Sequence, residues 1–347
     1  MAYLMVFSLA GWVAADEPQA PPLDFEIKLE TIHEHNDGKF LWFHPRAAAI
    51  PGYGKNGTPA VLMTLQKHLH VSDYFCGISV MRTDDWGQSW HGPTAIPELD
   101  WVREEGGIAV AVADVTPGWH APSGKLIAIG AQVRYSSQGE QLEDKARSNQ
   151  TAYALFDPQE NRWTKWAVLE MPAGKQFNFA RSACAQWLVE ADGTLLFPFY
   201  FGPDDSTPWS VTVVRCRLQD NQLKYVEHGT EFHLDVERGL VEPSIVRFQN
   251  RYYLTIRNDN KGYVTSGEDG LHFAPMKPWT FDDNGELGSY NTQQHWLAHS
   301  DGLFLVYTRR GADNDQIFRH RAPLFMAQVD PRTLQVLRDS EKILVPE

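Results

Sequence analysis

Cysteine is scarce: Cys76, Cys184 and Cys216 are the only three in 347 residues. An odd number at unrelated spacings indicates neither a disulfide framework nor a zinc site, so free thiols, with at most one disulfide, are expected. Basic residues are short as well, 31 Lys and Arg against 44 Asp and Glu for a net charge of −13, and no basic run occurs. Neutralising phosphates needs a Lys/Arg excess on some face, which excludes a general nucleic-acid binder. Charged residues reach only 22% while aromatics reach 12%, which excludes a disordered polymer, a coiled coil and a collagen-like repeat. Helical periodicity is sparse, no apolar run is long enough to span a bilayer, and no membrane partner is expected.

The length admits one large domain or two small ones. Residues 1–15 are apolar, carry no charge before Asp16, and place Val13 and Ala15 at the −3 and −1 positions of a cleavage site. This reads as a signal peptide, hence a secreted or periplasmic protein, although no Lys or Arg precedes the apolar run. Residues 16–22 read as an extended linker and 23–347 as one domain.

Five short apolar runs, among them Ala-Val-Leu-Met-Thr-Leu, Lys-Leu-Ile-Ala-Ile-Gly and Thr-Leu-Leu-Phe-Pro-Phe, each follow a turn signal: Asn56-Gly57, Ser123-Gly124, Asp192-Gly193, Gln249-Asn250 and Asp301-Gly302. Their spacing, about 50–70 residues, is the period of a four-stranded blade repeated around an axis. A second series of outer hairpins follows in the same order, from Arg82–Trp90 to Val329–Leu334. The expected fold is therefore an all-β propeller of four-stranded blades with five repeats visible. Asp24–His33 is one extra alternating stretch that would complete the last blade and close the ring.

Thr83-Asp-Asp-Trp-Gly-Gln-Ser-Trp90 fits the Ser/Thr-x-Asp-x-Gly-x-x-Trp pattern of the Asp box, and Ser266–Phe273 is a near miss with Glu268 in place of the Asp. In such a turn the carboxylate caps backbone N–H groups and Gly takes a positive φ. These motifs within a five-fold repeat resemble the sialidase (neuraminidase) superfamily of β-propellers, whose members have six blades, and six blades stay open as an alternative. The resemblance implies three arginines that hold a substrate carboxylate. Phe43-His-Pro-Arg-Ala-Ala-Ala-Ile-Pro51 makes Arg46 the first. Val241-Glu-Pro-Ser-Ile-Val-Arg…Arg257 supplies Glu242 and the second, Arg257. His320–Ala327 makes Arg321 the third, with Arg309 or Arg310 as fallback. The family's catalytic Asp has no counterpart at Gln66-Lys67-His68, so Asp73 is the nearest carboxylate. Tyr290 is the stand-in for the family's nucleophilic Tyr, and Gln293 in the same segment is a further candidate for a substrate contact.

Guanidinium groups make paired, charge-assisted hydrogen bonds to a carboxylate, so arginines converging from inner strands form an anion clamp; Arg181 is a fourth of this kind. The structural alternative is an inter-blade salt bridge. Glu242 suits a base that withdraws the proton of a Tyr nucleophile. Histidines 33, 35, 44, 68, 70, 120 and 295 fall in inner-strand or loop positions, and His68 and His120 are candidates for acid or base work. Trp119, in Pro117–Pro122, would stack on a sugar if exposed.

Three functions follow. An exo-acting glycosidase of sialidase type would attack with Tyr290 and Glu242 and protonate the leaving group with Asp73 or His68. A polysaccharide lyase or rhamnosidase-like propeller would act on uronate-containing glycans with His68 or His120 as base. A non-catalytic propeller would only bind glycans. Each implies a glycan partner, the first two one that carries a carboxylate, and neither cofactor nor metal is expected. Oligomeric state is not legible.

Overall fold

The computed structural model describes residues 22–70, 73–142, 151–204 and 206–347; residues 1–15, and all of the expected linker but its last residue, lie outside these. Five antiparallel sheets form the five blades of a propeller. Their innermost strands are Leu41–Ile50, Ala109–His120, Phe179–Arg181 with Leu188–Val189, Val241–Phe248 and His295–His299. Each turns at its far end into a neighbour, Ala60–His68, Lys125–Tyr135, Leu195–Gly202, Arg251–Arg257 or Gly302–Tyr307. The five turn signals of the sequence lie at these hairpins.

The second strands read as continuous apolar runs because both of their faces are covered by adjacent blades. Every residue of Leu195–Gly202 is buried. Apolar side chains fill four of the five gaps. Leu62 and Ile78 pack with Leu126 and Ala128, Ile127 and Tyr153 with Phe197 and Phe199, Val211 and Val213 with Leu254, and Tyr253 and Val264 with Leu305 and Tyr307. Burial of this kind contributes about 25 cal/mol per Å² of apolar surface and dominates the stability of the ring.

No apolar cluster among the described residues joins blade five to blade one, and this seam is closed differently. Asp24–His33 is not a strand. The alternation half-buries Leu23, Phe25 and Ile27; Phe25 meets Phe304 of blade five edge-on at 5.3 Å and Leu23 N–H donates to Gln328 Oε1 at 2.7 Å. The extra strand of blade five is instead the C-terminal Lys342–Val345, paired with Leu324–Asp330. The N-terminal segment then reaches blade one, where Phe40 and Trp42 meet at 5.2 Å under the Lys67 ammonium.

On the rim, Asp85 accepts Ser89 N–H at 2.9 Å and Ser89 Oγ–H at 2.7 Å, and Gly87 has φ 83°. At the near-miss turn the capping carboxylate is Asp269 rather than Glu268, accepting the N–H groups of Leu271 and His272 at 2.9 and 2.7 Å. The three cysteines are all free thiols.

Candidate active site

The innermost strands of blades one, two and four break register at the same level, between Phe43 and Arg46, Ala113 and Thr116, and Val241 and Ser244. At each break one residue adopts a left-handed backbone: His44 (φ 54°), Asp114 (φ 57°) and Glu242 (φ 44°), with Cys184 (φ 53°) taking the same place in blade three. Such a bulge re-aims one side chain, and a positive φ at a non-glycine residue costs on the order of 1 kcal/mol or more. Four chemically active side chains are thus displayed at one level by the same backbone device.

Two residues further along each strand lie Arg46, Thr116, Gln186 and Ser244, with His295 at the matching place in blade five. Several of these are linked across the channel. Arg46 Nη2 lies 3.2 Å from His295 Nε2, His295 Nδ1 lies 3.3 Å from Ser244 Oγ, and Gln186 N–H donates to Ser244 Oγ at 3.1 Å. Burial, aided by the Arg46 charge, pushes the His295 imidazolium down to about 3. His295 is therefore neutral, accepts from Arg46 at Nε2 and donates to Ser244 from Nδ1.

Above this belt, Arg257 Nη1 donates to both carboxylate oxygens of Glu242 at 2.6 Å, and Nη2 donates to Asn291 Oδ1 at 2.8 Å and Asp259 Oδ1 at 3.2 Å. Arg238 holds Asp259 from the outside at 2.6 Å. Burial opposes the charge on Arg257, but Glu242 and Asp259 outweigh it and hold the pKa above the ordinary range. His44 Nε2 lies 3.1 Å from Asp114 Oδ1. Burial works to raise the Asp114 pKa, yet His44, the Cys184 thiol, Arg46 and Arg181 together keep it below the usual carboxylate value. The Cys184 thiol is pushed well up by burial and by the Asp114 and Glu242 charges, so it stays protonated and donates to Asp114. Tyr200, paired across the sheet with Arg181, is pushed up to about 12 by burial, with Arg181 pulling it down and Glu242 and Asp114 pushing it further up. The guanidinium Nε atoms of Arg46, Arg181 and Arg257 are buried without a partner. The arrangement can do two things: bind an anion at guanidinium groups and move protons between carboxyl, imidazole and phenol groups.

His44, Asp114 and Cys184 bring their donor atoms within 4.8 Å of one another. That set has metal-ligand chemistry, but the thiol proton and the two guanidinium groups beside Asp114 oppose a cation.

The expected residues divide into three groups. Arg46, Arg181, Glu242 and Arg257 belong to the cluster. Arg321 stands at its mouth, donating to the Asn291 carbonyl at 3.0 Å; burial, then the charges of Arg257 and Arg319, lower its pKa. Arg309 is taken by Glu341 at 2.9 and 2.6 Å, and Arg310 lies over the Tyr290 ring at 4.2 Å. His68 and Asp73 are also at the mouth, His68 stacked on Phe43 at 4.7 Å; burial lowers its pKa while Asp73 pulls the other way. Gln293 is half-buried two residues before His295. Tyr290 sits on a blade-five loop with its hydroxyl 2.6 Å from His320 Nδ1, whereas Tyr200 is the phenol that feels both Glu242 and Asp114. His120 and Trp119 lie at the C-terminal end of their strand, six and five residues beyond Asp114. His120 has both ring nitrogens engaged, by Ser123 Oγ at 2.8 Å and the Gly193 carbonyl at 2.9 Å, and Trp119 packs 6.3 Å from Tyr53.

Asp114, Cys184 and Tyr200 were not among the expected site residues, and His44 and His295 stood only within the group of inner-strand and loop histidines, with no role assigned. Asp114 had a legible signal, a lone carboxylate inside Ala109-Val-Ala-Val-Ala-Asp-Val115, and Tyr200 had a weaker one, a hydroxyl within Leu195-Leu-Phe-Pro-Phe-Tyr-Phe201. Cys184 had none.

The sequence matches no protein-family model and no curated protein. The fold is similar to that of a Trypanosoma rangeli sialidase solved in complex with sialic acid, with TM-score 0.58 and 14% identity over 83% of this chain and 46% of that one. It is similar to the NanB sialidase of Streptococcus pneumoniae, with TM-score 0.59 and 12% identity over 91% of this chain and 63% of that one. A GH43 β-1,3-galactosidase solved with galactodeoxynojirimycin gives TM-score 0.50 and 12% identity over 85% of this chain and 93% of that one. The chain thus spans about half to two thirds of the length of the two sialidases. At these identities the likeness establishes the propeller fold.

Proposed function

We propose that this chain is an exo-acting glycoside hydrolase that removes a terminal sugar bearing a carboxylate. The observation that carries the reading is the gathering of Arg46, Arg181 and Arg257, each with an unpartnered buried Nε, around Asp114 and Glu242 on neighbouring inner strands. Guanidinium groups recognise a planar carboxylate by paired hydrogen bonds, and a glycosidase needs two carboxyl groups flanking the scissile bond. In this scheme the sugar carboxylate binds at the arginines, with Arg321 at the rim. Tyr200 attacks the anomeric carbon as Glu242 takes its phenolic proton, and the leaving oxygen receives a proton from the His44–Asp114 pair. Water then cleaves the tyrosyl-sugar bond, returning a proton to His44–Asp114, and Glu242 reprotonates Tyr200. The apolar run 1–15 supports action outside the cytoplasm.

Incubation with a fluorogenic sialoside between pH 4 and 8 tests this: fluorophore release is expected, and none from the folded protein counts against it. A second reading is hydrolysis of a neutral terminal sugar such as galactose. It is favoured by the near-complete span of the GH43 galactosidase and by the Asp114–Glu242 pair, which needs no anionic substrate. Release from a fluorogenic galactoside with none from the sialoside would select it.

A further inference from the structure

The far mouth of the central channel holds a cavity of about 380 Å³ whose wall includes Thr116, Gln186, Trp187, Glu190, Ile245 and Arg247. It adjoins the site described above through Thr116 and Gln186 and opens at the other end of the channel. Glu242 and Arg247 lie towards opposite ends of one strand, about 16 Å apart at 3.3 Å per residue, and the belt of Arg46, Gln186, Ser244 and His295 lies between.

Three features give this cavity a chemistry. First, Trp187 is locked: its Nε1–H donates to the Thr116 carbonyl at 3.0 Å, and its ring is so close to Gly118 that a Cβ there would lie 2.6 Å from ring carbons. Only glycine admits the indole in this position. Second, Glu190 is fixed by the Tyr252 hydroxyl, which donates to Oε2 at 2.6 Å, while Oε1 is left buried without a partner; the Thr116 hydroxyl is likewise unpartnered. A buried carboxylate oxygen without a donor is costly, and a ligand hydroxyl would satisfy it. Third, Arg247 lies beside them, 4.0 Å from Glu190, with half of its side chain in solvent and its guanidinium over the Tyr252 ring.

We infer that this cavity is a second saccharide-binding site, which takes the end of a neutral glycan chain. A rigid indole wall suits the apolar face of a sugar ring, and a fixed carboxylate and a guanidinium side by side suit vicinal hydroxyls as acceptor and donor. The inference does not depend on the hydrolase reading, because Trp187, Glu190 and Arg247 have no part in that reading and lie at the other mouth.

Lactose and xylobiose, which carry no carboxylate, are the probes, titrated at millimolar concentrations into the full chain carrying Glu242→Gln and followed by saturation-transfer NMR and calorimetry. Binding of at least one is expected, weakened at least about tenfold by Trp187→Ala and by Glu190→Gln. Gly118→Ala, which displaces the indole, and the half-exposed Arg247→Ala should weaken it too, so the test survives if one variant fails to fold. In the chain with Glu242 intact, Trp187→Ala should leave fluorogenic-substrate turnover unchanged. No binding of either disaccharide, or binding indifferent to all four far-mouth substitutions, overturns the inference.

Discussion

Arg257 Nη1 donates to both carboxylate oxygens of Glu242 at 2.6 Å, with the guanidinium side chain only 6% exposed and the carboxylate 16%. Removing Glu242 leaves the buried Arg257 charge with Asp259, at 3.2 Å, as its remaining counter-ion. Glu242→Ala should therefore destabilise the protein by up to about 3 kcal/mol, read from urea midpoints. Glu242→Gln keeps an acceptor oxygen for Arg257 and should cost less, while abolishing turnover as completely. If the two variants unfold at the same midpoint, the pair contributes no more than its shape.

Asp114→Asn keeps the side chain's shape and removes its charge. Turnover should fall by on the order of 10²–10⁴ at pH 6, in steady-state assays with a fluorogenic substrate. The folded Asp114 pKa is depressed, so its contribution to stability is full above the unfolded carboxyl value of about 3.9 and is lost as pH falls through the folded value. The stability gap between wild type and Asp114→Asn should accordingly narrow below pH 4.

His295 carries a different pH signature. Its folded pKa is depressed to about 3, and an unfolded imidazole titrates near 6.5, so between these values the unfolded chain binds the proton and the folded chain does not. Stability should fall as pH drops from about 6.5 towards 3. His295→Gln, which can still accept from Arg46, should flatten that part of the profile in thermal melts, and an unchanged slope would remove His295 as its source.

The ring's packing and its seam should respond unequally to truncation. Phe197 is fully buried between blades two and three, and Phe197→Ala should cost about 3–5 kcal/mol. Phe25 is only half-buried on blade five, and Phe25→Ala should cost about 1–2 kcal/mol. Chemical denaturation of the two variants measures the difference directly.

The blades were legible because each second strand is buried on both faces and leaves a continuous apolar run after a turn signal, as at Asp192-Gly193 before Leu195–Gly202. Arg46, Glu242 and Arg257 were legible from motif context. Asp24–His33 was not, since its alternation comes from lying along blade five without strand pairing, the backbone partners there going to Lys342–Val345. His44, Asp114 and Cys184 escaped for a related reason: a bulge has no residue signature when the left-handed position is not glycine. His120 and Trp119 share a strand with Asp114, but the register puts them beside the hairpin turn, away from the bulge that displays Asp114.

In the proposed mechanism Arg46, Arg181 and Arg257 hold a substrate carboxylate while Asp114 and Glu242 serve the scissile bond. The most direct measurement compares kcat/KM for a fluorogenic sialoside with that for its methyl ester, in which the carboxylate is masked and little else changes. Turnover of the free acid is expected, with a loss of at least about 100-fold, or roughly 2.7 kcal/mol, for the ester. Equal turnover of acid and ester, or turnover of neither by the folded protein, would contradict it.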